Sequence, residues 1–204
     1  MSRIITNSTL ENSISFDEYM TLTRNIVNSD EPSGMYANTS THRYTRSNLE
    51  RMQKVLDNMV VNQKLYNTLS DLQTEWIWVV ITEPWCGDAS WGTPALYTIS
   101  LCSDKIDFRI LLRDDNTGVM KAYQTAGTDS IPKLICLRKN TLEEIGTWGP
   151  RPQELHALVL SLKNNPIIDY REGVRALHSW YEQDMTKSIQ EEILFEVKKW
   201  VNSK

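Results

Sequence analysis

Cysteine is scarce in this chain of 204 residues: Cys86, Cys102 and Cys136 are the whole complement. An odd number at wide spacing excludes a disulfide framework and a zinc ribbon. Histidine is equally sparse, at His42, His156 and His178. With no Cys/His cluster, no metal site and no cofactor are expected, and each ring reads as a surface or satisfied core histidine. No window approaches the roughly 18 apolar residues that span a bilayer, so no membrane partner is expected. The opening Met1-Ser-Arg-Ile-Ile-Thr-Asn-Ser8 has no long apolar stretch behind its single charge and does not read as a secretory signal. A basic excess is missing as well. Acidic residues number 26 against 22 basic ones, for a net charge of −4, which argues against nucleic acid as a partner. The small basic group His42, Arg43, Arg46 and Arg51 reads as a solvated loop and helix start. Repeats and low-complexity runs are absent.

What is present fits a globular protein of a reducing compartment such as the cytoplasm. Apolar residues make up 40% of the chain and charged residues 24%, and this length buries a core without staples. The polar first dozen residues read as a tail. Ser15 with Glu18 has capping-box spacing ahead of the apolar stripe Phe16, Tyr19, Met20, Leu22 and Ile26. Residues 28–46 are dense in turn formers and read as a linker. A second capping box, Ser47 with Glu50, precedes a helical stripe from Leu49 through Met52, Leu56, Leu65 and Leu69 to about Leu72. That stripe would pack on its own core or, in the alternative, zip to a second copy as a coiled-coil homodimer.

The middle of the chain changes period. Trp76-Ile-Trp-Val-Val-Ile-Thr82 is a near-continuous β-branched and aromatic run, the pattern of a strand buried on both faces. A tight Pro84–Gly87 stretch and a helix to about Cys102 follow. A second strand spans Ile106–Leu112, and Asp114 or Asp115 is placed to cap a helix around Val119–Tyr123. Strands Leu134–Leu137 and Leu142–Thr147 flank a polar turn, and a helix from Pro152 to Leu162 closes the unit. This βαβα then ββα order implies a right-handed parallel crossover followed by antiparallel strands. Steps of three and four from Tyr170 to Val201 read as helix, broken near Asp184. The organisation expected is an N-terminal extension (1–72), a central domain (73–165) and a C-terminal helical extension (166–204).

The informative segment is Glu83-Pro-Trp-Cys-Gly-Asp88, with Ala89 next. A cysteine between a buried strand and a helix meets free N–H groups and the positive end of a dipole, both of which favour a thiolate. Trp85-Cys86-Gly87 resembles the start of the thioredoxin active-site motif. Pro94 falls where thioredoxins carry a helix-kinking proline, Gly127 through Ile131-Pro132 resembles the segment that ends in their cis-proline, and Gly149 follows the last strand as theirs does. The resemblance covers residues 74–163. The chain also resembles a bacterial branch of thioredoxin-like proteins through Glu83–Asp88, Arg113–Asn116 and Trp148–Pro152. It implies a thioredoxin-like three-layer α/β/α sandwich with a mixed central sheet, extended by helices at both ends. It further implies Cys86 as the nucleophile, lined by Glu83, Trp85, Gly87, Asp88, Ala89, Ile131 and Pro132.

Departures from the pattern narrow the chemistry. The resolving cysteine is replaced by Ala89, the intervening proline by Asp88, and the buried acid six residues before the nucleophile by Val80. Cys102 lies about 24 Å along the helix and Cys136 about 13 Å along a strand from Pro132, whereas a disulfide needs Cα atoms within about 7 Å. Both read as core fillers. The helix terminus favours the Cys86 thiolate and the carboxylates of Asp88 and Glu83 oppose it, so a thiol modestly more acidic than free cysteine is expected. Two main readings follow. Cys86 exchanges with protein or small-molecule thiols and disulfides, as a monothiol oxidoreductase would. Alternatively, the chain is a non-enzymatic thioredoxin-like binding module. A glutathione-dependent iron–sulfur carrier is a third reading, but Trp-Cys-Gly-Asp-Ala departs from the Cys-Gly-Phe-Ser pattern of that group.

Overall fold

The computed structural model describes residues 4–202. One mixed sheet of four strands has the order β2-β1-β3-β4: β1 is Trp76–Thr82, β2 Ile106–Leu112, β3 Lys133–Arg138 and β4 Glu144–Trp148. β1 runs parallel to β2 and antiparallel to β3, with Val80 opposite both Ile110 and Leu134. All seven residues of β1 are buried, because it has a strand on either side and helices on both faces. That is why its sequence carries no polar alternation.

Alternation along the strands sorts two cores. Trp76, Trp78 and Val80 join Leu134, Cys136 and Trp148 on one face, under α5 (Ala89–Ser100) and α7 (Gln153–Lys163). Ile77, Val79 and Ile81 join Ile135 and Leu137 on the other, with Met120 from α6 (Thr117–Ala122) and with Ile5. The result is the expected α/β/α arrangement. The four additional helices of the N-terminal region are α1 (Asn7–Glu11), α2 (Phe16–Asn28), α3 (Thr39–Asn58) and α4 (Gln63–Ser70), and those of the C-terminal region are α8 (Tyr170–Asp184) and α9 (Lys187–Asn202).

Several expectations are corrected. Residues 1–3 of the supposed tail and secretory-signal test lie outside the described residues. The rest is anchored: Ile5 is buried, and Ile14 forms an antiparallel bridge to Ile110 that covers the free edge of β2. The linker is shorter than residues 28–46, because α3 begins at Thr39. Asn38 caps it by accepting the Ser40 and Thr41 N–H groups at 2.9 and 3.3 Å, which leaves Ser47 and Glu50 inside the helix rather than at its start. The basic cluster supplies the reason. His42 Nε2 meets the Ile26 carbonyl and Arg46 donates to the Val27 carbonyl, each at 2.9 Å, so the first turns of α3 pair with the last carbonyls of α2.

The helix expected to run to Leu72 breaks between Asn58 and Gln63. Gln190 of α9 pairs with the backbone freed there, accepting Asn62 N–H at 2.7 Å and donating to Val60 O at 3.3 Å. Met52, Val55, Leu65 and Leu69 are fully buried in the chain's own core, which takes up the stripe a coiled coil would need. Neither Asp114 nor Asp115 caps α6; its N-cap is Asn116. β4 starts at Glu144 because Leu142 adopts a φ of 55° in the turn.

The C-terminal helices are joined at Met185 and Thr186, both with positive φ. Trp200 of α9 stands edge-on to Trp76 and Trp78, at 6.3 Å between centroids in each case. It reaches them over Gly146, where any Cβ would collide with the indole. Glu192 accepts the indole N–H of Trp148 and the backbone N–H of Gln153, each at 2.7 Å, so α9 is fastened to the end of β4 and the start of α7. Trp200→Ala should cost about 3–5 kcal/mol and lower the urea midpoint of unfolding. An unchanged midpoint would show that α9 is not an integral cover of the sheet.

Candidate functional site

β1 delivers the chain at Thr82 into a short loop, and α5 begins at Ala89. Cys86 is half-buried in that loop, and its Sγ–H donates to the Ile131 carbonyl at 3.3 Å. The Ile131–Pro132 bond is cis. Pro132 lies against α5 at Gly92, where an added Cβ would stand 2.8 Å from the proline Cγ. Gly149, with a φ of 112°, passes the Pro132 carbonyl so closely that no Cβ fits. Thus Cys86, Ile131 and Pro132 meet, and glycines from two further segments make the approach sterically feasible. Gly92 had no signal in the sequence, since a glycine inside a helix carries only a general packing hint.

Asp88 sits at the N-cap of α5 but makes no side-chain cap. Its carboxylate is turned inward. Arg151 donates to it from Nε at 3.0 Å and from a terminal nitrogen at 2.6 Å, and the Tyr181 hydroxyl donates at 2.9 Å. Both members of the ion pair are largely buried, with side-chain exposures of 14% for Arg151 and 8% for Asp88. Tyr181 stacks on Trp91 at 5.5 Å and 9°, and Trp91 Nε1–H donates to His178 Nδ1 at 3.2 Å. His178 is thus a buried histidine with one ring nitrogen satisfied, and it also lines the cleft beside the cysteine loop. Its ring edge lies against Gly87, where a Cβ would stand 3.1 Å from Cε1. In the sequence Arg151 belongs only to the Trp148–Pro152 segment, Trp91 and Tyr181 fall in stretches read simply as helix, and His178 reads as a surface or satisfied core histidine.

The remaining expected residues are accounted for as follows. Trp85 lies beneath the Arg113 guanidinium, 4.5 Å from the ring centroid. Ala89 is fully buried, so the resolving position holds only a methyl group. Glu83 is buried behind the loop, its carboxylate accepting the Asp114 N–H at 2.9 Å, and Asn48 of α3 donates to the Pro84 carbonyl at 2.9 Å. All three cysteines are free thiols, with Cys136 in the sheet core and Cys102 beyond the end of α5. Among the described residues, no group of three His, Cys, Asp or Glu could hold a metal ion, and no helix is long and apolar enough to cross a membrane.

The electrostatics correct the expectation for the thiol. Burial pushes Cys86 up to about 12, and the Asp88 carboxylate adds to the rise; the N–H groups of Ala89 and Asp88 and the Arg151 charge pull the other way and lose. The helix terminus does favour the thiolate, but desolvation outweighs it. Burial also raises Glu83 to about 7; the Asp114 N–H pulls the other way, and the Asp114 carboxylate adds to the rise. His178 is lowered to about 4, by burial first and by the Arg51 charge second.

Cys86 opens onto a cleft of about 840 Å³. Trp85 through Asp88 form part of its floor. One wall is the start of α3 with the turn before it, represented by Met35, Thr41 and Tyr44; the other is the end of α7 and the first half of α8, represented by Leu162, Tyr170 and Leu177. Both walls come from, or adjoin, the helical extensions. They turn the open end of an α/β sheet into a bounded site.

Comparison with known proteins places this arrangement. The family model described as thioredoxin matches residues 34–169. A crystal structure of a Pseudomonas aeruginosa protein of unknown function superposes with a TM-score of 0.58 at 15% identity, over 93% of this chain and 94% of that one. An HIV epitope-scaffold superposes at 0.49 with 14% identity, over 91% of this chain and 98% of the scaffold. No curated protein matches the chain closely enough to count as a relative.

Glu83 and His178 should give the protein two opposed pH dependences. His178 holds a folded value near 4, below its ordinary 6.5, so its contribution to stability is complete above about pH 6.5 and is lost as pH falls toward 4. Glu83 holds a folded value near 7, above its ordinary 4.5, so its contribution is present below about pH 4.5 and is lost as pH rises toward 7. Between these limits the slopes offset, each by at most about 1.4 kcal/mol per pH unit. Relative to the parent, Glu83→Gln should gain stability as pH rises from 4.5 to 7, and His178→Asn should gain stability as pH falls through the same range. Urea unfolding at both pH values reads this, and parallel profiles for all three proteins would contradict the assignment.

Proposed function

The chain belongs to the thioredoxin family, and from that premise we propose that it is a monothiol member in which Cys86 exchanges with thiols and disulfides admitted to the cleft. The supporting observation is that Cys86 is the one thiol lining the cleft among the described residues, and that its sulfur faces the Ile131 carbonyl beside Pro132. In the forward step the Cys86 thiolate attacks one sulfur of a disulfide. A mixed disulfide forms, and the other half leaves as a thiolate. With Ala89 at the resolving position, a second thiolate from solution attacks the mixed disulfide, releases Cys86 and carries the substrate half away as a new disulfide.

The raised thiol sets the rate of this chemistry. Moving from an ordinary value of 9.0 to about 12 removes about a thousandfold of thiolate at neutral pH. The greater basicity of what remains returns roughly twentyfold at a Brønsted slope near 0.45, so exchange runs roughly fiftyfold slower than at a free thiol. Such a site suits a selective, slow exchanger rather than a general disulfide reductase, and insulin-type disulfides should not be reduced catalytically. The same raised thiol favours a second reading, a binding module in which Cys86 serves only as a hydrogen-bond donor.

Glutathione disulfide treatment with site-resolved mass spectrometry separates the two. Under exchange, Cys86 should be glutathionylated in the folded protein, at a rate that keeps climbing above pH 9 without a plateau. If Cys86 stays unmodified at neutral and alkaline pH while the protein remains folded, the binding reading replaces the exchange reading.

A further inference from the structure

The cleft contains a polar group that has no partner among the described residues. Trp91 Nε1 can only donate, so His178 Nδ1, 3.2 Å away, must accept. That bond leaves the imidazole neutral with its proton on Nε2. The ring is more than nine-tenths buried, at 8% exposure, it lines the cleft, and its Nε2 edge lies against Gly87, next to Cys86 in the chain. Among the described residues no acceptor meets that Nε2–H. A donor held in place by Trp91 and open to the cleft beside a thiol is arranged to meet something from outside.

The charges around it favour an anion. Arg113, Arg151 and Lys163 line the cleft against Asp88 and Asp169, a positive local balance in a chain of net charge −4. Arg151 and Asp88 neutralise one another, and Arg113 is paired with Asp114 at 2.8 Å. The Asp169 carboxylate is engaged at the start of α8, accepting the Glu172 N–H at 2.7 Å. Lys163, in the last turn of α7, has no carboxylate partner among the described residues.

We infer that the cleft selects small thiols and disulfides bearing a carboxylate, with His178 Nε2–H as the fixed donor to that carboxylate and Lys163 as its countercharge. Exchange at Cys86 is the step proposed above, and this inference rests on that reading for the sulfur chemistry but not for the anion site. A cleft of about 840 Å³ is within the range of small-molecule sites, and its walls keep the sulfur away from the surface of a folded protein. His178 acts here as a specificity-determining residue.

The test compares two disulfide probes, the dicarboxylate dithiobis-nitrobenzoate and the neutral dithiodipyridine, with modification of Cys86 followed by peptide mapping. Each rate is divided by that of an unfolded peptide containing Trp85–Asp88. The folded protein should prefer the anionic probe by about tenfold, the scale of one charge-assisted hydrogen bond. His178→Asn keeps an oxygen for Trp91 but has no donor at the Nε2 position, and it should lose most of the preference. His178→Gln, whose amide N–H reaches that position, should restore part of it. Lys163→Gln, a change on an exposed turn, should lower the preference without altering the fold. No preference in the parent, or an undiminished one in His178→Asn, overturns the inference and leaves exchange at Cys86 standing. If Cys86 resists both probes, the exchange reading fails, and titration with unreactive methylthiobenzoate decides the anion site. A saturable shift of the Trp91 indole N–H, absent with neutral thioanisole, supports it, and no saturable shift overturns it.

Discussion

Three segments far apart in the chain meet at one buried carboxylate. Asp88 opens α5, Arg151 follows β4, and Tyr181 lies in the last turn of α8; the two-pronged ion pair and the phenol hydrogen bond join them. Desolvating two charges is expensive, and the cost is met only where geometry is good and the remaining lone pairs are used. Here Arg151 binds both carboxylate oxygens and Tyr181 takes a further lone pair. The arrangement fixes the segment Trp148–Pro152 beside the cysteine loop. It also positions α8, and α8 carries Tyr170, Leu177 and His178 into the cleft.

The pair also governs the chemistry available to Cys86. A helix terminus alone would make the thiol more acidic. Instead, the loop is covered by the extensions, so burial dominates, and the Asp88 charge adds to it. Arg151 offsets part of that charge. The thiol is therefore held protonated, donating to Ile131, in a bounded cleft rather than on an open face. The walls and the raised thiol both go with the covering of the cysteine loop by added helices, and both support the proposed slow, selective exchange.

Much of the fold was legible because its signals were local. The unbroken Trp76–Thr82 run announced a central strand, and the ββα ending announced the antiparallel half. The errors have a common physical cause. α3 extends back to Thr39 because His42 and Arg46 find carbonyls at the end of α2, and the break before α4 is tolerated because Gln190, far along the chain, pairs with the freed backbone. Neither partner can be read from a local window. The site follows the same rule. Cys86, Ile131 and Pro132 could be brought together by resemblance, whereas Trp91 and Tyr181 fall in stretches that read simply as helix and His178 reads as a surface or satisfied core histidine. Their polar atoms matter only through partners that the tertiary fold supplies, and the burial that raises the Cys86 thiol has no sequence signature at all.

The dependence of the site on the Asp88–Arg151 pair is tested most directly by a double-mutant cycle read as unfolding free energy. Asp88→Asn and Arg151→Met should each cost about 3–5 kcal/mol, because each strands a buried partner. The double variant should cost clearly less than the sum, since no charge is then left uncompensated. Additivity within about 0.5 kcal/mol would mean that the two residues do not act as a unit, and would contradict the account.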